Sequence, residues 1–294
     1  MLSHLLFKDK LTILFCLLDD FLTLLPKPSR ALVSGKYPAG RPANLTPSEV
    51  LTLALFRFWT TLGNWKVFYD LMDAGFRQEF PKLPCYETLL RQINAHGPLG
   101  LLLLIALLGR QEGPGTYALD ATAIPVSHHR RRAKVVRQWA AWGKNSDRHW
   151  FFGFKLHAVC HRRGQLVSLR ITPGNIADIT HAEALLSRLL GLVVADAAYI
   201  STPLREQLWE LGLLLLPPLR KKMKGLASRE QTQQFSERSI IETMFSVLKD
   251  RLGLVTSLPR SLDGYLSHYV LVLLAYQLGR WVTHALFSPA LPHL

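Results

Sequence analysis

Hydrophobic and polar positions follow two different periods along the chain, and the change falls near residue 115. Before it, apolar residues recur at helical spacing over 11–25, 50–61 and 65–72. Pro26, Pro28, Gly35, Pro38, Gly40 and Pro42 separate the first of these helices from the second. Thr46-Pro47-Ser48-Glu49 reads as a capping box with proline at the first helical position. Gly63 stops that helix and Asn64 caps the next, while Gly75 and the turn at 81–84 precede a helix over 86–94. This last helix presents Tyr86, Thr88, Arg91, Gln92 and Asn94. Two helices across a turn, the second rich in base-edge donors, suit a helix-turn-helix. A plain helical bundle shows the same exposed polar residues, so both readings stand.

From 116 onward β-branched and aromatic residues predict strands over 116–126, 150–160 and 165–172, with Arg163-Gly164 as a turn. An apolar helix over 179–190 follows, then a strand over 192–195, a helix over 203–211, a strand over 213–216 and a long helix over 232–251. The order is βββαβαβα, an α/β core. A closing helix over 266–286 has only His268, Tyr269 and Gln277 as polar breaks and is expected to pack on that core. The chain thus divides into an all-helical region over 1–110 and an α/β domain over 111–294 that includes the closing helix. No internal repeat or low-complexity tract appears.

Composition narrows the partners. The 294 residues are 49% hydrophobic, enough for a sizeable core, and carry a net charge of +14 with a pI near 10.0. Such a surface attracts a polyanion, nucleic acid or an anionic membrane, and disfavours an enzyme of small acidic metabolites. The charge is not spread evenly: residues 127–170 hold 11 Lys and Arg against one acid, while 171–217 hold 2 against 5. Cys16, Cys85 and Cys160 are too far apart for a CxxC pair and read as buried thiols in a reducing cytoplasm. Neither 11–18, followed by Asp19 and Asp20, nor 99–108 reaches the about 20 apolar residues of a membrane span, and no basic amphipathic helix suggests a membrane surface.

The chemistry lies among the acids. Asp120 closes the first core strand and Asp196 the fourth, each after an apolar run. If those strands are parallel neighbours, two carboxylates stand a few ångströms apart and repel unless a cation lies between them. Each aspartate alone would pass as a cap or turn residue; both at matching strand ends point to a metal. Glu242 is the third acid. Phe235, Arg238, Glu242 and Lys249 follow one another at offsets of 3, 4 and 7 and fall within an arc of roughly 60° on one helix face. An ordinary Arg-Glu surface pair has the same spacing, but it does not account for the aromatic on that face.

These residues resemble the DDE transposases of bacterial insertion sequences, whose catalytic core is RNase H-like. The family's final helix carries Tyr-x2-Arg-x3-Glu-x6-Lys, and Phe235-x2-Arg238-x3-Glu242-x6-Lys249 has its spacing throughout. Gly153-Phe154-Lys155-Leu156-His157, Pro173-Gly174-Asn175 and Asp178 also look like the family's core, and the resemblance covers 116–280. Two departures stand out. Phe235 replaces the signature tyrosine, and a short basic loop, Arg220-Lys221-Lys222-Met223-Lys224, replaces the large β insertion of some relatives. The second puts any hairpin-based cleavage pathway in doubt.

The resemblance implies a transposase that cuts the ends of its own element and joins the 3′ ends to target DNA. Asp120, Asp196 and Glu242 would be its catalytic, metal-binding triad, holding two Mg²⁺ ions for which Mn²⁺ can substitute. Arg238 and Lys249 would hold DNA phosphates, with Lys221 and Lys222 alongside. Arg130, Arg131, Arg132, Lys144 and Lys155, interleaved with Trp139, Trp142 and Trp150, read as a DNA track. Trp150 by itself is expected in the core, and His157 and His161, on one strand face, as hydrogen-bonded residues. A homodimer on DNA in the bacterial cytoplasm, with no membrane partner, completes the expectation. The alternatives are an RNase H-like nuclease or resolvase that does not join strands, and a DNA-binding derivative with decayed catalysis.

Overall fold

The computed structural model describes residues 7–25, 44–60, 62–108, 113–126, 134–145, 149–216 and 238–287, with backbone alone at 134 and 283–287. They form two compact units. One takes the chain to Ala106 together with Asp250–Leu254 and Pro259 onward; the other takes Leu107–Lys249 and Val255–Leu258.

The first unit is helical: α1 (Phe7–Leu24), α2 (Pro47–Trp59), α3 (Trp65–Gly75), α4 (Tyr86–Ala95), α5 (Gly97–Leu107) and, from the far end of the chain, α9 (Leu262–Phe287). The capping box forms as expected, with Thr46 Oγ1 accepting from the Glu49 amide at 3.2 Å and Glu49 accepting from the Thr46 amide at 2.6 Å. It launches α2, whose residues from Val50 to Phe58 are buried all round, making α2 the hub of this unit. The closing helix α9, expected on the α/β core, packs here instead. Trp59 Nε1 donates to the Ala275 carbonyl at 3.0 Å, and Ser267 Oγ donates to the Asn94 carbonyl at 3.0 Å. Gly97 permits that second approach, because a Cβ there would lie 2.2 Å from Ser267 Oγ.

Other helical expectations shift. The α3–α4 connection runs over 76–85, far from the three- or four-residue turn of a helix-turn-helix. Arg91 and Asn94 face solvent, but Gln92 is buried. Of the three free cysteines, Cys160 is buried as expected, whereas Cys16 and Cys85 are exposed. No single described helix is long and apolar enough to cross a membrane; α4 and α5 pass that test only together, across a 46° bend.

The second unit is built on a six-stranded mixed sheet. Its strands are β1 (Gly115–Pro125), β2 (Ala141–Lys144), β3 (Trp150–His161), β4 (Leu166–Pro173), β5 (Gly191–Ala195) and β6 (Leu213–Leu216), in the order β2-β3-β1-β5-β6 with β4 also on β3. β1 runs antiparallel to β3 and parallel to β5. Five strands stand where the residue pattern put them; β2 is additional. One sheet face carries Tyr117, Leu119, Val159, Val193, Ala195, Leu213 and Leu215 into a core closed by α6 (Ala182–Leu186) and α7 (Thr202–Glu210). The helix expected over 179–190 is thus reduced to a 3-10 turn, Asp178–His181, and the short α6. α8 (Ser239–Ser246) lies against β1 and β3 with Ile241, Met244 and Phe245 buried, and continues into a π-type turn, Val247–Arg251. The expected start of that helix, 232–237, lies outside the described residues.

Gly191 sets the start of β5. Its φ is +108°, and a Cβ there would stand 2.3 Å from the Gly115 carbonyl oxygen, in the strand next door. Backbone cannot yield as a side chain can. Gly191→Ala is therefore expected to destabilise the protein by about 2–4 kcal/mol in denaturant unfolding. A loss within about 0.5 kcal/mol would mean that β1 and β5 tolerate separation at this point.

Candidate active site

The parallel pairing of β1 with β5 ends at Leu119 opposite Ala195, and the next residue on each strand is an aspartate, Asp120 and Asp196. β5 stops there. β1 does not: it continues against β3 as far as Pro125, so Asp120 lies inside its strand rather than at the end expected from the sequence. β5 has no residue paired with Asp120, whose side chain is still only 18% exposed. Each aspartate accepts a hydrogen bond from the following amide, Ala121 at 2.8 Å and Ala197 at 2.6 Å, which fixes its orientation.

Glu242 reaches the same place from α8, one turn after Arg238 at the helix N-cap. The Arg238 guanidinium stands among all three acids. Nη2 is 3.2 Å from Glu242 Oε1 and 3.9 Å from Asp120 Oδ2, and Nη1 is 3.4 Å from Asp196 Oδ1. The surface Arg-Glu pair considered on the sequence is present, but it is one side of a four-residue cluster. Burial pushes the Asp120 carboxyl up to about 6; the Ala121 amide and Arg238 pull it down, and Asp196 and Asp178 push it further up.

Three carboxylates around one positive centre suit a hard divalent cation in donor chemistry. As placed, they are spaced by the guanidinium, and no group of three or more His, Cys, Asp or Glu among the described residues is set to hold an ion. Arg238 therefore marks the charge that these acids require and also competes for the position.

Two neighbours were not singled out as site residues on the sequence. Tyr199 is fully buried and its hydroxyl has no hydrogen-bond partner among the described residues; burial, with Asp120, Asp178 and Asp196 nearby, pushes its ionisation well above the ordinary value. It sits on the 3-10 turn that Asp196 caps, Ala197–Tyr199, so its spacing from Asp196 was the available signal. Asp178 holds the Lys155 ammonium at 2.8 Å, and Lys155 also donates to the Ile176 carbonyl at 2.9 Å. Lys155, expected on a DNA track, is thus committed to an internal pair with its side chain only 12% exposed.

The remaining candidates are scattered. Lys144 is exposed beside Trp150, and Lys249 lies on the π-type turn, partly exposed. That turn alters the angular relation of Lys249 to Glu242 assumed for a regular helix. Phe235, Arg130, Arg131, Arg132, Lys221 and Lys222 lie outside the described residues. His157 and His161 are hydrogen-bonded, as expected, to Thr172 and the Arg163 amide.

Burial holds His157 neutral, its ionisation pushed down to about 4 from 6.5, with Thr172 Oγ1 at 2.8 Å from Nε2. A depressed folded-state value contributes stability that is complete above about 6.5 and is lost as pH falls towards 4. His157→Gln should flatten that acid limb when melting temperature is followed against pH. An unchanged limb would assign acid sensitivity to other groups.

The chain is similar to known proteins across this region. The family model described as transposase DDE domain matches residues 110–261, which include all three acids. This chain belongs to the DDE transposase family. A protein assigned as the transposase of insertion sequence element IS6501 in Brucella ovis is 35% identical over 101 residues, 32% of this chain and 75% of that protein. The fold of this transposase-family chain is also similar to that of piggyBac transposase, seen by cryo-EM in a synaptic complex with hairpin DNA. The TM-score is 0.55 at 10% identity, covering 95% of this chain and 75% of the other.

Proposed function

We propose that this DDE transposase cleaves DNA at the ends of its own insertion sequence and joins the 3′ ends to target DNA, using an RNase H-like core. The observation that carries the reading is the convergence of Asp120, Asp196 and Glu242 on one point beside Arg238. Those acids would hold two Mg²⁺ ions, or Mn²⁺ in their place, which supply charge to activate an attacking hydroxyl and stabilise the leaving oxygen. The protein's own residues do the rest. The Ala121 and Ala197 amides fix the carboxylates, and Arg238 turns to a DNA phosphate when its place among them is taken. Lys249 meets a phosphate away from the cut, and the basic block over 127–170 draws the duplex in.

The helical unit supplies end recognition in this reading, since phosphate contacts position DNA without reading it. A homodimer bridges two element ends, in the bacterial cytoplasm. The test is to incubate the purified full chain with a labelled element end, a target plasmid and Mg²⁺. Labelled DNA covalently joined to the plasmid is the expected product. Cleaved but unjoined ends would replace the proposal with a nuclease or resolvase, and bound but uncut DNA with a decayed derivative.

A further inference from the structure

The hairpin of β2 and β3 has one face made almost wholly of rings. Trp142 stands opposite Phe152 and Lys144 opposite Trp150, and partners across an antiparallel pair project to the same side. The Trp142 and Phe152 ring centres are 5.5 Å apart, and the Lys144 ammonium is 4.7 Å from the Trp150 ring centre. Yet Trp142 is 61% exposed and Trp150 64%, which overturns the expectation of a core position for Trp150. The other side of the hairpin is pinned. Phe151 is buried there, and a Cβ at Gly143 would lie 2.1 Å from the Gly174 carbonyl oxygen. The strip is therefore held out on a fixed support.

Its place relative to the acids follows from register. Side chains alternate along β3, so Trp150 and Phe152 share a face with Ala158, which pairs with Asp120. At about 3.3 Å per residue the strip begins about 20 Å from the Asp120 position and ends about 26 Å from it, on the same side of the sheet. Along a duplex, which rises about 3.4 Å per nucleotide, this span is about six to eight nucleotides, and an unpaired strand, which extends further per nucleotide, covers it in fewer.

We infer that this strip is a stacking platform for unpaired nucleobases of the DNA strand that the acidic site cuts. The inference rests on the transposase reading above and adds to it a surface and the form of DNA it takes. Charge selects the class of partner: Lys144 stands on the strip itself, the stretch of sequence that contains it, 127–170, has 11 cations against one acid, and a second copy of this chain would bring like charge against it. Shape selects the form. An exposed indole offers a flat face, which an unpaired base covers with its own face, whereas a paired base in a duplex offers only its edge. Lys144 supplies a cation for the backbone of the same strand.

The test uses the full chain carrying Asp120→Asn, so that DNA stays intact, and follows tryptophan fluorescence and affinity for a twelve-nucleotide single strand and a matched duplex. Trp142→Ala with Trp150→Ala should weaken single-strand binding at least tenfold and change duplex binding less than threefold. Trp142→Phe with Trp150→Phe should recover most of it. An oligonucleotide of abasic sites should bind the parent as weakly as the intact one binds the alanine variant. Equal losses on both DNA forms, no loss on either, or a shift in oligomeric state would each overturn the platform; the last would make the strip a self-association face. A platform that passes in a protein that never joins ends would leave this binding surface standing and remove the strand-transfer reading alone.

Discussion

Asp120→Asn is expected to lower cleavage of element ends by at least about a thousandfold, equivalent to about 4 kcal/mol in the barrier, while leaving the fold intact. Asparagine retains an oxygen for the Ala121 amide, so the local backbone keeps its partner. It removes a negative charge that burial and Asp196 already disfavour, so melting temperature in the absence of divalent ions should hold or rise. Asp196→Ala and Glu242→Ala should lose cleavage to a similar extent, because each acid supplies one side of the same cluster. A labelled-end cleavage gel run beside a calorimetric melt reads both quantities. Any of the three retaining a third or more of wild-type cleavage in Mg²⁺ would remove that residue from the site.

The second large effect concerns Arg238. Exposed Arg-carboxylate pairs contribute little, about 0–1 kcal/mol each, and by that measure Arg238→Ala would be nearly silent. Here one guanidinium addresses three carboxylates that otherwise repel one another. Arg238→Ala should therefore melt several degrees below wild type in a chelator. Added Mn²⁺ should close that gap, since an incoming cation no longer displaces a resident one. By titration calorimetry without DNA, the variant should bind Mn²⁺ about tenfold or more tightly than wild type. Joining of ends should nevertheless fall at least about tenfold, or about 1.4 kcal/mol, because the phosphate contact is lost. Equal melting in chelator with equal or weaker Mn²⁺ binding would reduce Arg238 to an ordinary surface residue.

Much of the α/β unit was legible because its strands are runs of β-branched and aromatic residues bounded by turn residues, and a period of two survives any tertiary arrangement. Asp120 and Asp196 could be paired before the fold was known, since only a parallel neighbour arrangement gives two acids after matching apolar runs a common purpose. The offset of four between Arg238 and Glu242 was equally visible, but not that the guanidinium would reach both aspartates, which depends on where α8 lands on β1 and β3. Helical periodicity showed that α9 is buried without showing against what, and its partners, the Asn94 carbonyl and the Trp59 indole, lie in helices that give no sequence sign of the contact. β2 has only four residues, too few for alternation to declare itself. Trp150 was misplaced because apolar character argues for burial only where a neighbour exists to cover it.

The helical unit is assembled from both ends of the chain, with the α/β unit inserted between them. On a ribosome, α1 to α5 emerge first yet lack α9, whose Tyr265, Leu271, Leu274 and Leu278 are buried in the finished unit. The sheet with its two aspartates and the helix that carries Glu242 are already made by Lys249, before the first residue of α9 at Leu262. Interrupted synthesis would thus release a product with its acidic cluster formed and its helical unit unfinished. A stop codon anywhere in α9 would leave the apolar helices of that unit open, and such exposure marks a product for proteolysis.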